Sequence, residues 1–320
     1  MSIDFEDLKR RIRGPTMLVM APFNDSLELN IEALKENIRF SMDGGINDGK
    51  GFIICPCGGG EYVTLSQEEN KMMVETAVEV AGNKVLVVAG VQSCNYREAI
   101  KLALNAAEAG AKCVMMPPPY YHPISQEGIY RWYKVIAEGI GTKIGIMAYD
   151  QPWDKYVGGF ISVPLMGKLA EIESVVAFKY SSTNIRDYIT ALRLYSKRFA
   201  FIDNSGTYRA IVAHVHGEVA GYVTHAAAFW PEFEAKYWSL LEQRKYEEAT
   251  KWHDKLRPYY EFLKGGGAEG GFQETPPAKA ALEYLGLYGG PVRPPFIELT
   301  KEQKRKFFGV LEGMGVPKKR

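Results

Sequence analysis

Short apolar runs alternate along this chain with longer stretches in which apolar residues recur at helical spacing. The short runs are typical of strands buried on both faces, whereas the longer stretches predict amphipathic helices. Strands are predicted at 16–20, 51–55, 84–89, 112–116, 143–148, 175–179, 199–202 and 219–223. Helices are predicted between them at 30–42, 67–81, 96–109, 126–138 and 185–194. Ser66 with Glu69 has capping-box spacing, Ser125 can cap a helix, and Gly110 is typical of a helix end.

Eight strands alternating with helices predict a parallel sheet, and eight is the number that closes a barrel. The predicted fold class is α/β, a (β/α)8 TIM barrel. An open doubly wound sheet is the alternative, but no Gly-x-Gly-x-x-Gly pattern follows the first strand. The chain after the eighth strand is mostly helical in pattern, at 229–241, 246–263, 277–285 and 301–312. We therefore divide the chain into a barrel at 1–225 and a C-terminal helical extension at 226–320.

Composition narrows the class of protein. With 320 residues, 46% hydrophobic, 24% charged and a net charge of +1, the chain gives no electrostatic reason to expect nucleic acid or a membrane as partner. No apolar run has the roughly 20 residues of a spanning helix, and the N-terminal residues do not form a secretory signal, so a cytoplasmic enzyme is expected.

The cysteines and histidines do not predict a metal site. Cys55, Cys57, Cys94 and Cys113 lie in or beside strand-like runs, and we expect buried, reduced thiols. The spacing of Cys55 and Cys57 does not fit a zinc knuckle, and the five histidines show no ligand pattern with carboxylates at strand ends. No metal is therefore expected.

Lys179 ends the sixth apolar run, at the edge where barrel enzymes build their active sites. Burial there disfavours the ammonium and lowers the pKa, which makes a nucleophilic amine available for a Schiff base with a carbonyl substrate. The alternative is a lysine whose stem is buried while its amine extends to the surface. Polar or glycine-rich segments also follow other predicted strands, at 56–62, 117–123, 149–152 and 203–206.

Several motifs occur in a fixed order around Lys179. They are Met20-Ala21-Pro22-Phe23, Gly60-Glu61, Pro119-Tyr120-Tyr121, Tyr149 with Pro152, Lys179, and 277–282 near the end. From Pro15 to about Phe307 the chain resembles the dihydrodipicolinate synthase and N-acetylneuraminate lyase family of Schiff-base lyases. The resemblance implies the (β/α)8 barrel with C-terminal helices, a 2-oxo acid substrate, and a homotetramer built as a dimer of dimers.

The resemblance also implies roles for individual residues. Lys179 would form an iminium with the ketone of the 2-oxo acid, so that no cofactor is needed beyond this covalent bond. Tyr149 would shuttle protons, and Tyr121 would reach a neighbouring subunit's proton relay; simple interface packing is the alternative for Tyr121. Gly206 would approach the substrate by its backbone, or serve as an ordinary turn glycine. Tyr180, next to Lys179, is a further candidate for substrate binding.

One departure from the family pattern lies in the loop Gly58-Gly59-Gly60. The family carries two threonines at the positions of Gly58 and Gly59, where they bind the carboxylate of the 2-oxo acid and relay protons. Backbone N–H groups of the three glycines would have to bind the carboxylate here. Thr64, Tyr62 and Ser181 are candidates for the relay, and we expect the lost side chains to widen the pocket floor.

A second departure is Asp154. Dihydrodipicolinate synthases have an arginine at this position, which binds the carboxylate of aspartate semialdehyde. An aspartate would repel that group, which argues against the lysine-pathway synthase and in favour of an aldolase or dehydratase for another 2-oxo acid. An aromatic acid would meet Trp153, Tyr180 and Trp230, whereas a sugar acid would meet Asp154, Asn204 and Ser205. The alternative outside enzymes is a barrel with a decayed site that binds or senses a small molecule.

Overall fold

The computed structural model describes residues 2–151, 160–204, 208–217, 219–264 and 274–318. Eight parallel strands form a closed barrel in which each strand pairs with the next, and β8 closes on β1 through the register of Thr16 with Val223. This confirms the (β/α)8 barrel and contradicts the open sheet. The strands are β1 Gly14–Leu18, β2 Phe52–Ile54, β3 Leu86–Gly90, β4 Cys113–Met116, β5 Gly145–Tyr149, β6 Val175–Tyr180, β7 Ala200–Asp203 and β8 Gly221–Thr224.

Helices connect the strands on the outside of the barrel. Within the described ranges, those up to the last strand are α1 Phe5–Arg11, α2 Ile31–Asp43, α3 Gln67–Ala81, α4 Tyr96–Ala109, α5 Gln126–Ile140, α6 Val163–Leu169, α7 Ile185–Tyr195 and α8 Arg209–Gly217. The later ones are α9 Ala226–Phe229, α10 Pro231–Glu242, α11 Tyr246–His253, α12 Arg257–Lys264, α13 Thr275–Leu285 and α14 Lys301–Met314.

The helix ends follow the sequence signals. The Ser66 hydroxyl accepts a hydrogen bond from the Glu69 amide at 3.1 Å, and the Glu69 carboxylate accepts one from the Ser66 amide at 2.8 Å. This completes the predicted capping box. Ser125 Oγ accepts from the Gly128 amide at 3.1 Å, and Gly110 ends α4 in the left-handed region at φ 105°.

From Ala177 onward, successive residues of β6 face opposite sides of the sheet. Ala177 packs into the cluster of apolar side chains inside the barrel, whereas Phe178 and Tyr180 pack into the cluster between the strands and the outer helices. Because side chains alternate along a strand, Lys179 faces the interior together with Ala177. The same alternation in β5 places Met147 and Tyr149 in the interior cluster.

The C-terminal helices share their core with the barrel. The interior cluster that contains Met147 and Val223 continues into Phe233 of α10, Phe262 of α12 and Leu282 of α13. β8 ends at Thr224, so a division at residue 225 falls directly after the last strand. We keep that division as a proposal, since the two parts bury one continuous apolar surface.

Two further expectations can be compared with the structure. No helix in the described part of the chain has the length and apolar character needed to cross a membrane. Cys55, Cys57 and Cys113 are buried free thiols, as expected, whereas Cys94 is a free thiol that is exposed. The expectation of burial is wrong for Cys94 because it lies in the turn before α4, beyond the end of β3.

Candidate active site

Lys179 and Tyr149 lie side by side at the carboxyl end of the barrel. Their Cα atoms are register partners in β5 and β6, and both side chains point into the interior. The Lys179 side chain is nearly buried, at 6% exposure, and its Nζ lies 4.0 Å from the centre of the Tyr149 ring. The amine therefore lies over the face of the phenol ring.

The glycine loop that follows β2 is a turn of 3-10 helix from Gly58 to Gly60. A Cβ atom at Gly60 would lie 1.9 Å from the carbonyl oxygen of Val19, so only glycine fits there. The Gly60 amide donates to the Cys57 carbonyl at 3.0 Å, and the Glu61 amide donates to the Gly58 carbonyl at 3.2 Å. The amides of Gly60 and Glu61 are thus used by hydrogen bonds within the turn.

Gly58 and Gly59 differ in their surroundings. A Cβ at Gly58 would meet no atom within 4 Å, whereas a Cβ at Gly59 would lie 3.0 Å from Nε2 of His225. The expected widening of the pocket floor is therefore wrong at Gly59, because the imidazole of His225 takes the space of the missing side chain. At Gly58 the space is open.

The buried thiol of Cys57 lies beside this loop. Burial raises its pKa to about 11, although the positive charge of Lys179 acts in the opposite direction. The thiol is therefore neutral near pH 7 and does not compete with Lys179 as a nucleophile.

The three relay candidates have hydrogen bonds to loop residues, Thr64 within its own loop and Tyr62 and Ser181 to the segment after the next strand. The Tyr62 hydroxyl accepts from the Gln92 amide at 2.9 Å, and the Thr64 hydroxyl donates to the Glu61 carbonyl at 3.0 Å. Ser181 Oγ accepts from the Asn204 side-chain amide at 2.9 Å. Each of the three hydroxyls thus has a loop residue as a hydrogen-bond partner.

The structure does not bring Tyr180 to the site. Its ring is fully buried on the outer face of β6, where it stacks on Tyr188 with centroids 5.4 Å apart. The prediction that it binds substrate fails because neighbouring residues of a strand point to opposite faces. Trp230 packs on Phe233, with ring centroids 4.6 Å apart. Tyr180 and Trp230 therefore do not form the predicted aromatic pocket.

The remaining candidates lie at the surface or outside the described ranges. Tyr121 is 78% exposed and contacts the ring of His122 edge-on at 4.7 Å, apart from Lys179 and Tyr149 in this single chain. Gly206, Ser205, Asp154 and Trp153 lie outside the described residues.

The structure adds two residues to the site that the sequence did not assign. His225 follows β8 directly, and its Nε2 lies 3.0 Å from a carboxylate oxygen of Glu274, the residue before α13. Burial raises the pKa of Glu274, but His225 and the charge of Lys179 outweigh it and leave the pKa below its ordinary value of 4.5. The position of His225 directly after a strand could have indicated a site residue. No sequence pattern indicated Glu274, because only the tertiary fold brings it to the glycine loop.

No group of three or more His, Cys, Asp or Glu side chains in the described part of the chain is placed to hold a metal ion. The arrangement instead presents a buried amine, a phenol, a glycine turn and a carboxylate–imidazole pair at one end of the barrel.

Comparison with known proteins places this arrangement in a family. The model of the dihydrodipicolinate synthetase family matches residues 11–313. The chain belongs to that family. Its members are Schiff-base lyases of class I that act through a lysine without an external cofactor, and this chain is such a lyase. A small 2-oxo acid fits the family as substrate.

Several relatives carry the name 4-hydroxy-tetrahydrodipicolinate synthase. The one from Syntrophus aciditrophicus is 29% identical over 95% of this chain and 99% of its own length. The one from Methanosarcina acetivorans is 30% identical, again over 95% and 99%. Among solved structures, dihydrodipicolinate synthase from Aquifex aeolicus is 26% identical with a TM-score of 0.84, and covers 96% of this chain and all of its own.

These relatives correct the inference drawn from Asp154. Proteins named for the lysine-pathway reaction match at 27% to 30% identity, so the argument against that enzyme is wrong. The argument rested on Asp154 alone, which lies in a loop outside the described residues. The charge of one side chain does not determine what such a loop binds. The decayed-site alternative is not favoured either, because the amine and phenol keep their facing positions.

Proposed function

We propose that this chain is a synthase of the 4-hydroxy-tetrahydrodipicolinate type, which joins pyruvate to aspartate semialdehyde through a Schiff base on Lys179. The observation that carries the proposal is the buried Lys179 amine, 4.0 Å from the ring of Tyr149 at the carboxyl end of the barrel. The relatives are named for the product of this reaction, and pyruvate and aspartate semialdehyde are the substrates that the family resemblance implies.

The chemistry follows from the position of the amine. Lys179 Nζ adds to C2 of pyruvate, water leaves, and the iminium that results draws electrons from C3. Loss of a C3 proton gives an enamine, whose C3 forms the new bond with the aldehyde carbon. Tyr149, whose ring centre lies 4.0 Å from this nitrogen, serves to move the proton of the departing hydroxyl.

The glycine loop offers donors for the carboxylate of pyruvate. The Gly60 and Glu61 amides are engaged within the turn, which leaves the amides of Gly58 and Gly59 for the anion. Glycine at these two positions lets a substrate approach the backbone closely. Gly206 remains a candidate for backbone contact, and Asp154 for contact with the aldehyde.

The assembled protein is proposed to be a cytoplasmic homotetramer, a dimer of dimers. The exposed Tyr121, at 78%, is a large aromatic side chain whose burial by a second copy would be favourable. In such an assembly Tyr121 would enter the relay of the neighbouring subunit.

The first experiment is reductive trapping. The protein is incubated with pyruvate and borohydride, and intact mass followed by peptide mapping should show one pyruvate-derived adduct on Lys179. Lys179→Ala should abolish the adduct, whereas Lys251→Ala, which removes an exposed lysine, should leave it unchanged. An unmodified mass for the wild-type protein contradicts the Schiff base.

The second experiment concerns the acceptor. With pyruvate and aspartate semialdehyde, mass spectrometry should detect the cyclic condensation product, and the product should be absent with Lys179→Ala. A trapped pyruvate adduct without any condensation product would retain the lyase and refute this acceptor.

A further inference from the structure

The place of a missing family side chain is occupied by an imidazole. His225 is buried, and its Nε2 lies 3.0 Å from where a Cβ of residue 59 would stand. A threonine at position 59 could not coexist with this ring unless one of them moved. The absence of a side chain at Gly59 therefore leaves room for the titratable ring of His225.

The imidazole lies beside a carboxylate from the C-terminal extension. His225 Nε2 and Glu274 Oε2 are 3.0 Å apart, and the Glu274 side chain keeps 31% of its surface exposed. The next residue, Thr275, donates its hydroxyl to the Gly59 carbonyl at 2.8 Å. This bond fixes the start of α13 against the glycine loop and with it the position of Glu274.

The carboxylate lies within electrostatic reach of the amine. Burial alone would raise the pKa of Glu274, yet the charges of His225 and Lys179 keep it below 4.5, so Glu274 is ionised at neutral pH. Its other ionisable neighbours are Cys57 after β2 and Tyr259 and Tyr260 of α12, which also sense its charge. Burial raises the pKa of each of these three groups, so they are neutral near pH 7.

We propose that Glu274, positioned by its contact with His225, is the acid–base residue for the C3 proton of the iminium on Lys179. Its carboxylate takes the proton from C3 of the iminium, the C–H electron pair becomes the C2–C3 double bond, and the C=N electron pair returns to the Lys179 nitrogen. In the reverse direction Glu274 returns the proton to C3. This role rests on the proposed Schiff base, and it assigns proton transfer to a carboxylate whose partner, His225, lies beside Gly59. His225 is the positioning residue.

The half-reaction that isolates this step needs no aldehyde. In D₂O, formation and reversal of the enamine replaces the methyl protons of pyruvate by deuterium, which proton NMR follows directly. Glu274→Gln keeps the size of the side chain and should slow the exchange by about 100-fold or more. Borohydride trapping of pyruvate on Lys179 should stay at the wild-type level in the same variant. His225→Gln should slow exchange by a smaller factor, since the carboxylate remains.

A control separates proton transfer from structure. Thr275→Val removes the hydroxyl tie to Gly59 and keeps the carboxylate, so exchange should fall by a much smaller factor than in Glu274→Gln; an equal loss in the two variants would show that the link is only structural. Glu274→Ala should recover part of the exchange when formate is added, because a small carboxylate can enter the space left by the side chain. A purely structural link would not respond to formate.

The outcomes are distinguishable. If wild type traps no pyruvate, the proposed function and this inference fail together. If Glu274→Gln traps pyruvate and exchanges protons within threefold of wild type, only the role of Glu274 is refuted. If that variant loses trapping and exchange alike, Glu274 is not specific to the C3 step and the inference is also refuted.

Discussion

The buried ion pair between Lys279 and Glu61 allows a quantitative test of how the C-terminal extension supports the glycine loop. Lys279 Nζ lies 2.6 Å from Glu61 Oε1, and the side chains are 2% and 0% exposed. The second carboxylate oxygen accepts from the Arg293 amide at 2.8 Å. Burial lowers the pKa of Lys279, and the charge of Glu61 only partly offsets this.

Lys279→Met removes one charge and leaves the other buried. The Glu61 carboxylate would then keep the Arg293 amide as a donor but lose its cation, and an uncompensated buried charge costs about 3–5 kcal/mol. For a chain of this size we expect the melting temperature to fall on the order of 5–10 °C. Urea denaturation followed by circular dichroism measures the free energy of unfolding.

The double variant Lys279→Met with Glu61→Gln provides the control, because it removes both charges. It should recover at least half of the stability lost in the single variant, since neither charge remains to be buried. If the double variant is as unstable as Lys279→Met alone, lost packing rather than the unpaired charge explains the effect. A loss below about 1 kcal/mol in the single variant refutes the reasoning altogether.

Three further predictions concern pH, the loop and the outer face of β6. Burial raises the pKa of Glu234 from 4.5 to about 7 against hydrogen bonds from Tyr222 and Thr224, so the folded protein binds this proton more tightly than the unfolded chain. The stability due to the protonated carboxyl is then present below about pH 4.5 and lost as pH rises through about 7. As the pH rises from 4.5 to 8, the free energy of unfolding of Glu234→Gln should therefore increase by about 3 kcal/mol relative to that of the wild type. A difference between the two proteins that does not change with pH contradicts this. Gly60→Ala should lower the free energy of unfolding by about 2 kcal/mol or more, because its Cβ meets the Val19 carbonyl. In the same urea titration, the free energy of unfolding of Gly58→Ala should stay within about 0.5 kcal/mol of the wild-type value. Tyr180→Phe should leave the rate of pyruvate exchange within twofold of wild type, and a larger loss would show that the outer face of β6 influences the site.

The sequence predicts the barrel well because its signals are local. Buried strands and amphipathic helices follow from periodicity, and the long helices α3 and α4 match the predicted ranges. The predicted ranges do not include α1, α6, α8 and α9, which have seven, seven, nine and four residues. Helices this short contain too few turns for a periodic pattern to emerge.

The candidate site was predicted only in part, for a physical reason. Lys179 and Tyr149 end adjacent strands, so strand order alone brings them together. The outward direction of Tyr180 could have been deduced from the alternation beginning at Lys179. The approach of Glu274 to His225 depends on how α13 packs against the glycine loop, and no local pattern encodes such a contact.

The bonds that fix the glycine loop have a consequence for synthesis on the ribosome. Thr275 and Lys279 bind the loop across 216 and 218 positions of the chain. At about 5–20 residues per second, a nascent chain carries the unsupported loop for roughly 10–40 s. Lys179 is synthesised during that interval, before either partner of the loop exists. The amine therefore acquires its complete surroundings only when translation has passed α13, which delays catalysis until the C-terminal helices can dock.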